Sequence, residues 1–143
     1  MGVVIGVGIV VSALVVSVGI AYALKWKNGR FNAVDETAEV LTAEQIGAPL
    51  GERATMVQFS SAFCSPCRAT RVLLTDIAGK VDGVVTVEID AEEHLELVRE
   101  LDIMRTPTVL ILDSRGAVST RASGLPRRDQ VLAALGLAIP ARH

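Results

Sequence analysis

The first hydrophobic stretch of the chain is long and uninterrupted. Residues 2–24 (GVVIGVGIVVSALVVSVGIAYAL) carry no charged side chain, and Tyr22 and Trp26, the only Tyr and Trp, lie at its end. A helix of this length crosses a hydrocarbon core of about 30 Å. Lipid favours helix over strand despite the β-branched residues, because the backbone must satisfy its hydrogen bonds internally. Since interfacial aromatic residues are typical of membrane spans, the pattern predicts a transmembrane anchor over 2–24.

A cleaved signal peptide is the alternative interpretation, because Ala21–Ala23 resembles a small-x-small cleavage site. The run lacks a preceding basic segment and is longer than the roughly 7–15 apolar residues of a signal peptide, so we expect an uncleaved anchor. Lys25, Lys27 and Arg30 follow the span. The positive-inside rule then places the C-terminal side in the cytoplasm and the N-terminus outside. We therefore expect a single-pass protein of the cell membrane.

The segment after the anchor is polar and has no hydrophobic period. Residues 25–39 predict a juxtamembrane linker, residues 40–138 a folded domain, and residues 139–143 a short tail. A flexible chain of about 12 residues reaches on the order of 20 Å. The domain is therefore expected to work close to the bilayer.

From residue 40 onward, short apolar runs alternate with helical periods. The strands are predicted over 54–59, 84–89, 108–112 and 117–122, and the helices over 64–78, 91–101 and from Pro126 onward. Residues 40–47 fit either a short strand or a helical turn in which Thr42 forms a capping box with Gln45. The sequence of residues 113–116, DSRG, is a hairpin turn signal.

The order strand, helix, strand, helix, hairpin and helix predicts an α/β domain. Its strand–helix–strand start gives parallel strands and its hairpin adds antiparallel ones, so a mixed sheet covered by helices is expected. Gly79 is expected to follow the first helix. The apolar faces of the later helices are predicted at Leu95, Val98 and Leu101, and at Val131, Leu132 and Leu135.

Composition narrows the classes of function. Fourteen Lys and Arg oppose 16 Asp and Glu, for a formal charge of −2, so no basic stripe indicates a nucleic-acid partner. His94 lies among charged residues and predicts a solvated helix face, and the short Arg127–Arg128 pair is best interpreted as a solvated helix start.

The only cysteines of the chain, Cys64 and Cys67, lie in FSSAFCSPCR, between a predicted strand and a predicted helix. Unpaired backbone N–H groups and the dipole at a helix N-terminus stabilise a thiolate, which is the attacking species in disulfide exchange. Cys67 follows one turn later, nearer the core, where it can attack a mixed disulfide. Pro66 suits the first helical turn. A C-x-x-C pair in this context indicates redox chemistry.

Two alternatives compete with a redox pair. A zinc site needs four ligands, but the chain has no further cysteine, and neither His94 nor His143 has ligand-like spacing. We therefore expect no metal and no cofactor. The other alternative is a pair of small buried cysteines without chemistry.

A second candidate site is Pro107, which directly precedes a predicted strand in MRTPT, residues 104–108. Proline cannot donate to a sheet ladder, so it either only begins the strand or forms a cis-proline loop that faces the cysteines. The sequence leaves both open, because cis is the minority state of an X–Pro bond.

Residues 40–138 resemble the thioredoxin family. The resemblance is carried by FSSAFCSPCR, by VEID at 87–90, by MRTPT at 104–108 and by SGLP at 123–126. It implies a thioredoxin-like three-layer α/β fold with a mixed central sheet. It also implies Cys64 as nucleophile, Cys67 as resolving cysteine, a redox-active disulfide between them, and a cis bond before Pro107. The implied substrate groove comprises Phe63, Ser65, Pro66, Thr106, Pro107 and Gly124. With its anchor, the whole chain resembles membrane-anchored thioredoxin-like proteins of high-GC Gram-positive bacteria.

The site departs from the usual thioredoxin pattern at four positions. Phe63 and Ser65 replace the Trp and Gly of W-C-G-P-C, and Ser60 stands where a second Trp is usual. The buried acid that shuttles the proton of the resolving cysteine falls at Gln58, which cannot titrate. We therefore expect a resolving step that is slower, or that depends differently on pH.

These residues predict a membrane-tethered thiol–disulfide oxidoreductase that reduces protein disulfides. Its electrons would come from a thioredoxin reductase or from a membrane electron relay. Ser65 and Pro66 place no charge between the cysteines, which favours a potential of about −270 to −200 mV over the roughly −120 mV of a strong oxidant. One alternative is an envelope-facing domain for cytochrome or secreted-protein thiols. Another is a non-enzymatic binding module that the cysteines switch.

Overall fold

The computed structural model describes residues 1–27, 31–33 and 39–140. Its first helix, α1 (Gly2–Lys27), contains the stretch predicted as an anchor. Residues Gly2–Trp26 have a mean hydropathy of 2.8 and are not buried, so by length and composition they form a candidate transmembrane span. The rings of Tyr22 and Trp26 lie 5.7 Å apart at the end of this helix. The remaining parts of the predicted linker and tail, residues 28–30, 34–38 and 141–143, lie outside the described residues.

The described residues form one mixed sheet of five strands. The strands are β1 (Phe31–Ala33), β2 (Ala54–Ser60), β3 (Val84–Asp90), β4 (Thr108–Asp113) and β5 (Val118–Ser123). Their spatial order is β1-β5-β4-β2-β3. The pair β2–β3 is parallel and the other pairs are antiparallel, as the predicted strand–helix–strand start and hairpin require.

Helices cover both faces of this sheet and produce three layers. They are α2 (Ala43–Ile46), α3 (Ser65–Lys80), α4 (Leu95–Glu100) and α5 (Arg128–Ala138). Successive side chains of a strand point to opposite faces. Accordingly, Phe59 packs in one core cluster with Ile46 of α2 and Leu97 of α4, whereas Met56 packs in another with Leu74 of α3 and Leu135 of α5. All seven residues of β2 are buried, which explains its nearly continuous apolar run.

Residues 40–47 were predicted as either a short strand or a helical turn, and each prediction is partly correct. Val40 forms an isolated bridge with Ala117. Thr42 then caps α2: the Gln45 N–H donates to Thr42 Oγ1 at 3.2 Å, and the Thr42 N–H donates to Gln45 Oε1 at 2.9 Å. The predicted capping box is therefore confirmed.

The prediction of a helix over 91–101 is wrong at its start, because α4 begins at Leu95. Asp90 Oδ1 accepts the N–H of Glu92 at 2.8 Å, and this local side-chain hydrogen bond holds the backbone in a turn. The shift in helix start also changes the buried face. Leu95 is 54% exposed, and Leu97 is buried instead.

Two further helix boundaries differ from the prediction. Helix α3 continues through Gly79 to Lys80. Helix α5 begins at Arg128 rather than Pro126, because the Arg127 N–H donates to the Gln130 side chain at 3.0 Å and fixes the helix start there. In α5, Leu132 is exposed and Ala134 takes the predicted place in the core.

The strand β1 lies in the segment that was predicted to be a linker, so that prediction is wrong for residues 31–33. Phe31 pairs with Ala122 of β5, and its side chain packs against the core cluster of α3 and α5. Pairing with the edge of β5 and burial of one aromatic ring outweigh the polar local composition. A strand of three residues is also too short to show a period of two.

Candidate active site

Three loops meet at one end of the sheet. Phe59 of β2 pairs with Thr108 of β4, and Thr108 pairs with Ser123 of β5. Because β2 and β5 finish there and β4 begins there, the loops 61–64, 101–107 and 124–127 lie at this common edge. We call this edge, with its three loops, the cysteine end of the sheet.

Hydrogen bonds join the three loops to one another. The hydroxyl oxygens of Ser61 and Thr106 lie 3.0 Å apart, which connects the cysteine loop to the proline loop. The Gly124 N–H donates to Pro107 O at 2.7 Å, and the Arg105 guanidinium donates to Ser123 O at 3.1 Å. The residues predicted from separate motifs are thereby held together.

The two cysteines occupy different environments at the start of α3. Cys64 is the N-cap residue and is partly exposed, whereas Cys67 is only 2% exposed. Their Sγ atoms form a disulfide, with the Cα atoms 5.2 Å apart. Pro66 lies in the first helical turn, as predicted. The more accessible sulfur therefore lies where the helix terminus favours negative charge, and the second sulfur lies behind it.

Cys64 also caps the helix through its sulfur. The Cys67 N–H donates to Cys64 Sγ at 3.2 Å. The same N–H also donates to Cys64 O at 3.2 Å, and it belongs to the first helical turn, whose N–H groups have no acceptor within the helix. The same donor can stabilise a thiolate on Cys64 after reduction.

Gln58 contacts the main chain of Cys67 at the start of α3. Its side chain is 1% exposed, and its Nε2–H donates to Cys67 O at 2.8 Å. The amide thus ties β2 to the first turn of α3. It provides a hydrogen bond, but no group that could accept the proton of Cys67.

A charged group beside the site was missed in the sequence. Glu88 of β3 accepts a hydrogen bond from the Ser60 hydroxyl at 2.7 Å and forms a salt bridge with Arg71 of α3. The hydrogen bond from Arg71 is the main cause that lowers the pKa of the Glu88 carboxyl below its usual value. Arg71 and Glu88 are 17 positions apart on different elements, so no local motif reveals the pair.

The structure places the predicted groove residues around the three loops. Phe63 is fully exposed, Ser65 and Pro66 are exposed, and Thr106 is partly buried. The Thr106–Pro107 bond is cis, which confirms that prediction, and Gly124 has a φ of 95°, in the region that favours glycine.

Two exposed apolar side chains at the same end were not predicted. Met104 is 84% exposed and Leu125 is 46% exposed, and each lies in one of the loops that surround the cysteines. Both lie in motifs that carry the family resemblance, MRTPT and SGLP, but nothing in either motif marks its apolar residue as exposed. Within the described residues, no group of three or more His, Cys, Asp or Glu could hold a metal ion.

Comparison with known proteins gives a consistent result. The family model for thioredoxin matches residues 36–135. The human thioredoxin domain-containing protein 2 is 40% identical over 72 residues, which cover 48% of this chain and 13% of that protein. The bovine mitochondrial thioredoxin is 31% identical over 85 residues, covering 59% of this chain and 51% of that protein. The match thus spans about half of the length of the bovine protein and a much smaller share of the human one.

Solved structures show the same fold. Spinach chloroplast thioredoxin f matches with a TM-score of 0.54 and 26% identity, covering 62% of this chain and 78% of that one. A thioredoxin variant from Halobacterium salinarum matches with a TM-score of 0.56 and 18% identity, covering 64% and 80%. The chain therefore belongs to the thioredoxin family, and its Cys64–Cys67 disulfide lies within the residues that the family model matches.

Proposed function

We propose that the protein reduces disulfides of other proteins by dithiol exchange. The observation that carries the proposal is the exposed sulfur of Cys64 at the start of α3, with the buried sulfur of Cys67 one turn behind it. Cys64 acts as nucleophile and Cys67 as the resolving residue. Thr106 and the neighbouring loops lie around the reactive Cys64, while Cys67 and Pro107 are buried.

The reaction has two exchange steps. The Cys64 thiolate attacks one sulfur of the substrate, the substrate S–S bond breaks, and the departing sulfur takes a proton. The Cys67 thiolate then attacks Cys64 Sγ, which releases the second substrate sulfur as a thiol. Two electrons pass to the substrate, and the Cys64–Cys67 disulfide forms. An upstream dithiol, from a thioredoxin reductase or a membrane relay, reduces it again.

The substrate is proposed to lie in the groove between the three loops. Phe63 offers an exposed aromatic surface beside the nucleophile, and Ser65 and Pro66 form the adjacent rim. Thr106, Pro107 and Gly124 form the opposite wall, which the 2.7 Å hydrogen bond between Gly124 and Pro107 holds in place. A peptide that carries the target disulfide fits between these walls.

Insulin reduction by the full chain in detergent, with dithiothreitol as electron donor, tests the activity. Cys64→Ser is expected to abolish turnover. Cys67→Ser is expected to stop after the first step and to accumulate a mixed disulfide that mass spectrometry detects. Wild-type protein without turnover would contradict the proposal and favour a redox-switched binding module.

We further propose that α1 anchors the protein as a single span with its catalytic domain in the cytoplasm. The apolar length of α1 supports the anchor, and Lys25, Lys27 and Arg30 after the span support the orientation. Protease treatment of spheroplasts tests this topology. Protection of the domain until the membrane is permeabilised is expected, and immediate digestion would place it in the envelope.

A further inference from the structure

We propose that Arg71 acts on the resolving step through Cys67: by pairing with Glu88, it cancels the carboxylate charge beside the first turn of α3, where the Cys67 thiol must ionise. The inference rests on the proposed function and deepens it by adding two positioning residues to the site. It is carried by the contacts that surround Cys67, by the way the Glu88 carboxylate is held, and by the neutral side chain of Gln58.

Helix α3 brings Arg71 next to Cys67. The two residues are four positions apart, so their side chains leave the helix on the same side, with Cβ atoms about 5–6 Å apart. Cys67 is buried, whereas the Arg71 side chain is 53% exposed and lies at the border of the buried face. From there the guanidinium donates to both carboxylate oxygens of Glu88 on β3.

The sheet brings Glu88 to the same place from the other direction. Glu88 pairs with Gln58 in the parallel β2–β3 ladder, one strand spacing of about 4.8 Å away. The Gln58 Nε2–H donates to Cys67 O at 2.8 Å. Cys67, Arg71, Glu88 and Gln58 therefore form a closed ring, which places the ion pair within about 10 Å of the Cys67 sulfur.

The Glu88 carboxylate is fixed in this ring and carries its charge. The Ser60 hydroxyl donates to Glu88 Oε1 at 2.7 Å, in addition to the two hydrogen bonds from Arg71. The hydrogen bond from Arg71 is the main cause that lowers the pKa of the Glu88 carboxyl, so this group is an anion at neutral pH. A fixed anion near a thiol disfavours the thiolate. The guanidinium of Arg71 opposes that effect.

The balance between Arg71 and Glu88 sets the net charge of the ring, because the amide of Gln58 adds none. The ring is neutral with both residues present, negative without Arg71 and positive without Glu88. The Cys67 thiol should therefore be harder to ionise in the first case of loss and easier to ionise in the second. If the pair only held α3 on β3, losing either partner would act in the same direction.

Other charged groups lie on the same side of the sheet or in the loops at the cysteine end. They remain the same in all the variants that replace Arg71 or Glu88, so they cannot produce a difference in sign between those variants. They are Arg68 of α3, Asp90 at the end of β3, Arg105 before β4, and Arg127 and Arg128 at the start of α5.

Titration of Cys67 by NMR tests the proposal with the full chain in detergent. In a Cys64→Ser background Cys67 is the only cysteine, so a Cβ signal labelled in cysteine alone reports the ionisation of this thiol. Arg71→Gln is expected to raise the Cys67 pKa by about half a unit, and Glu88→Gln to lower it by a similar amount. The variant with both substitutions should return to the background value, and Arg71→Lys should retain it.

A matched control replaces an arginine of an ion pair at the opposite end of the sheet. Arg115 pairs with Asp113, which lies opposite Ala54 in the ladder, about 13 Å along β2 from Gln58. This distance exceeds the Debye length of about 10 Å at 0.1 M salt, so Arg115→Gln should leave the titration unchanged. Shifts of the same sign in the two single variants, or a shift in neither, overturn the proposal.

Stopped-flow measurement of mixed-disulfide release supplies the functional arm, in chains that retain both cysteines. The pH midpoint of this step should move up in Arg71→Gln and down in Glu88→Gln. Unchanged midpoints, despite shifted titrations, overturn the role in the resolving step. Because the NMR titration needs no turnover, opposite shifts in a chain that does not reduce insulin would instead overturn the proposed function.

Discussion

The side-chain amide of Gln58 donates a hydrogen bond to the main-chain carbonyl of Cys67, with the two atoms 2.8 Å apart. The contact is buried and joins the central strand to the active-site helix. It gives Cys67 a fixed position without giving its thiol proton an acceptor. Positioning and proton transfer are therefore separate properties of this site.

Gln58→Asp is expected to change the pH dependence of the resolving step. A carboxyl buried at this position has a raised pKa, so it can accept the Cys67 proton near neutral pH. Release of the mixed disulfide should become faster and acquire a new titration. Stopped-flow measurement of that step across pH checks this expectation, and an unchanged rate and profile would count against it. Gln58→Leu is the control: it loses the hydrogen bond, at a cost of about 1 kcal/mol, but gains no titration.

The Arg71–Glu88 pair predicts how stability changes in acid. Because the pKa of Glu88 is lowered in the folded protein, its stabilisation is complete above the unfolded value of about 4.3. That stabilisation is lost as the pH falls through the lowered value. Glu88→Gln should therefore lose less stability than wild type between neutral and acidic pH.

Urea unfolding followed by circular dichroism, at pH 7 and below pH 4, measures this difference. At neutral pH the substitution is expected to cost no more than about 1 kcal/mol, since both side chains are partly exposed. Parallel profiles for wild type and Glu88→Gln would refute the assignment.

Gly116→Ala is expected to destabilise the domain by about 2–4 kcal/mol. Gly116 has a φ of 88°, and a Cβ there would lie 2.1 Å from Leu41 O. Gly116 O also accepts the Leu41 N–H at 2.8 Å. The strain would therefore act on the contact that positions the start of α2.

Gly136→Ala is the matched control, because a Cβ at this helical position meets no atom within 4 Å. Replacing a helical glycine stabilises by up to about 1 kcal/mol. Thermal unfolding of both variants compares them directly. Similar midpoints for the two variants would contradict the described geometry around Gly116.

The Ser61–Thr106 hydrogen bond is expected to position the proline loop for the substrate. Ser61→Ala and Thr106→Val should each lower kcat/KM for a disulfide peptide. The double variant should be no worse than the more impaired single variant, with a coupling of about 1 kcal/mol. A double-mutant cycle of kcat/KM measures this coupling, and additive losses would show that the two hydroxyls act separately.

Local chemistry made much of this molecule predictable. The all-buried run of β2, the capping box of Thr42 and Gln45, and the cysteine pair at a helix start each depend on neighbouring residues. The cis bond before Pro107 was one of two alternatives from local sequence, and the family resemblance selected it.

Features that depend on distant partners were not predictable. β1 forms because its backbone pairs with the edge of β5. The Arg71–Glu88 salt bridge forms only when α3 packs on β3. The delayed start of α4 has a local cause instead: Asp90 Oδ1 accepts the N–H of Glu92, and this contact competes with a helical pattern of similar strength. In each case the deciding contact is made by one or two residues that carry no period.

The sulfur that caps α3 is also the sulfur proposed as the nucleophile. The Cys67 N–H donates to Cys64 Sγ. This sulfur is neutral in the disulfide and is an anion when Cys64 is a thiolate. The helix N-terminus is therefore stabilised more strongly after reduction. Helix capping and electron transfer are thus thermodynamically linked. In the proposed reaction, formation of the disulfide weakens the first turn of α3, and reduction to the thiolate strengthens it again.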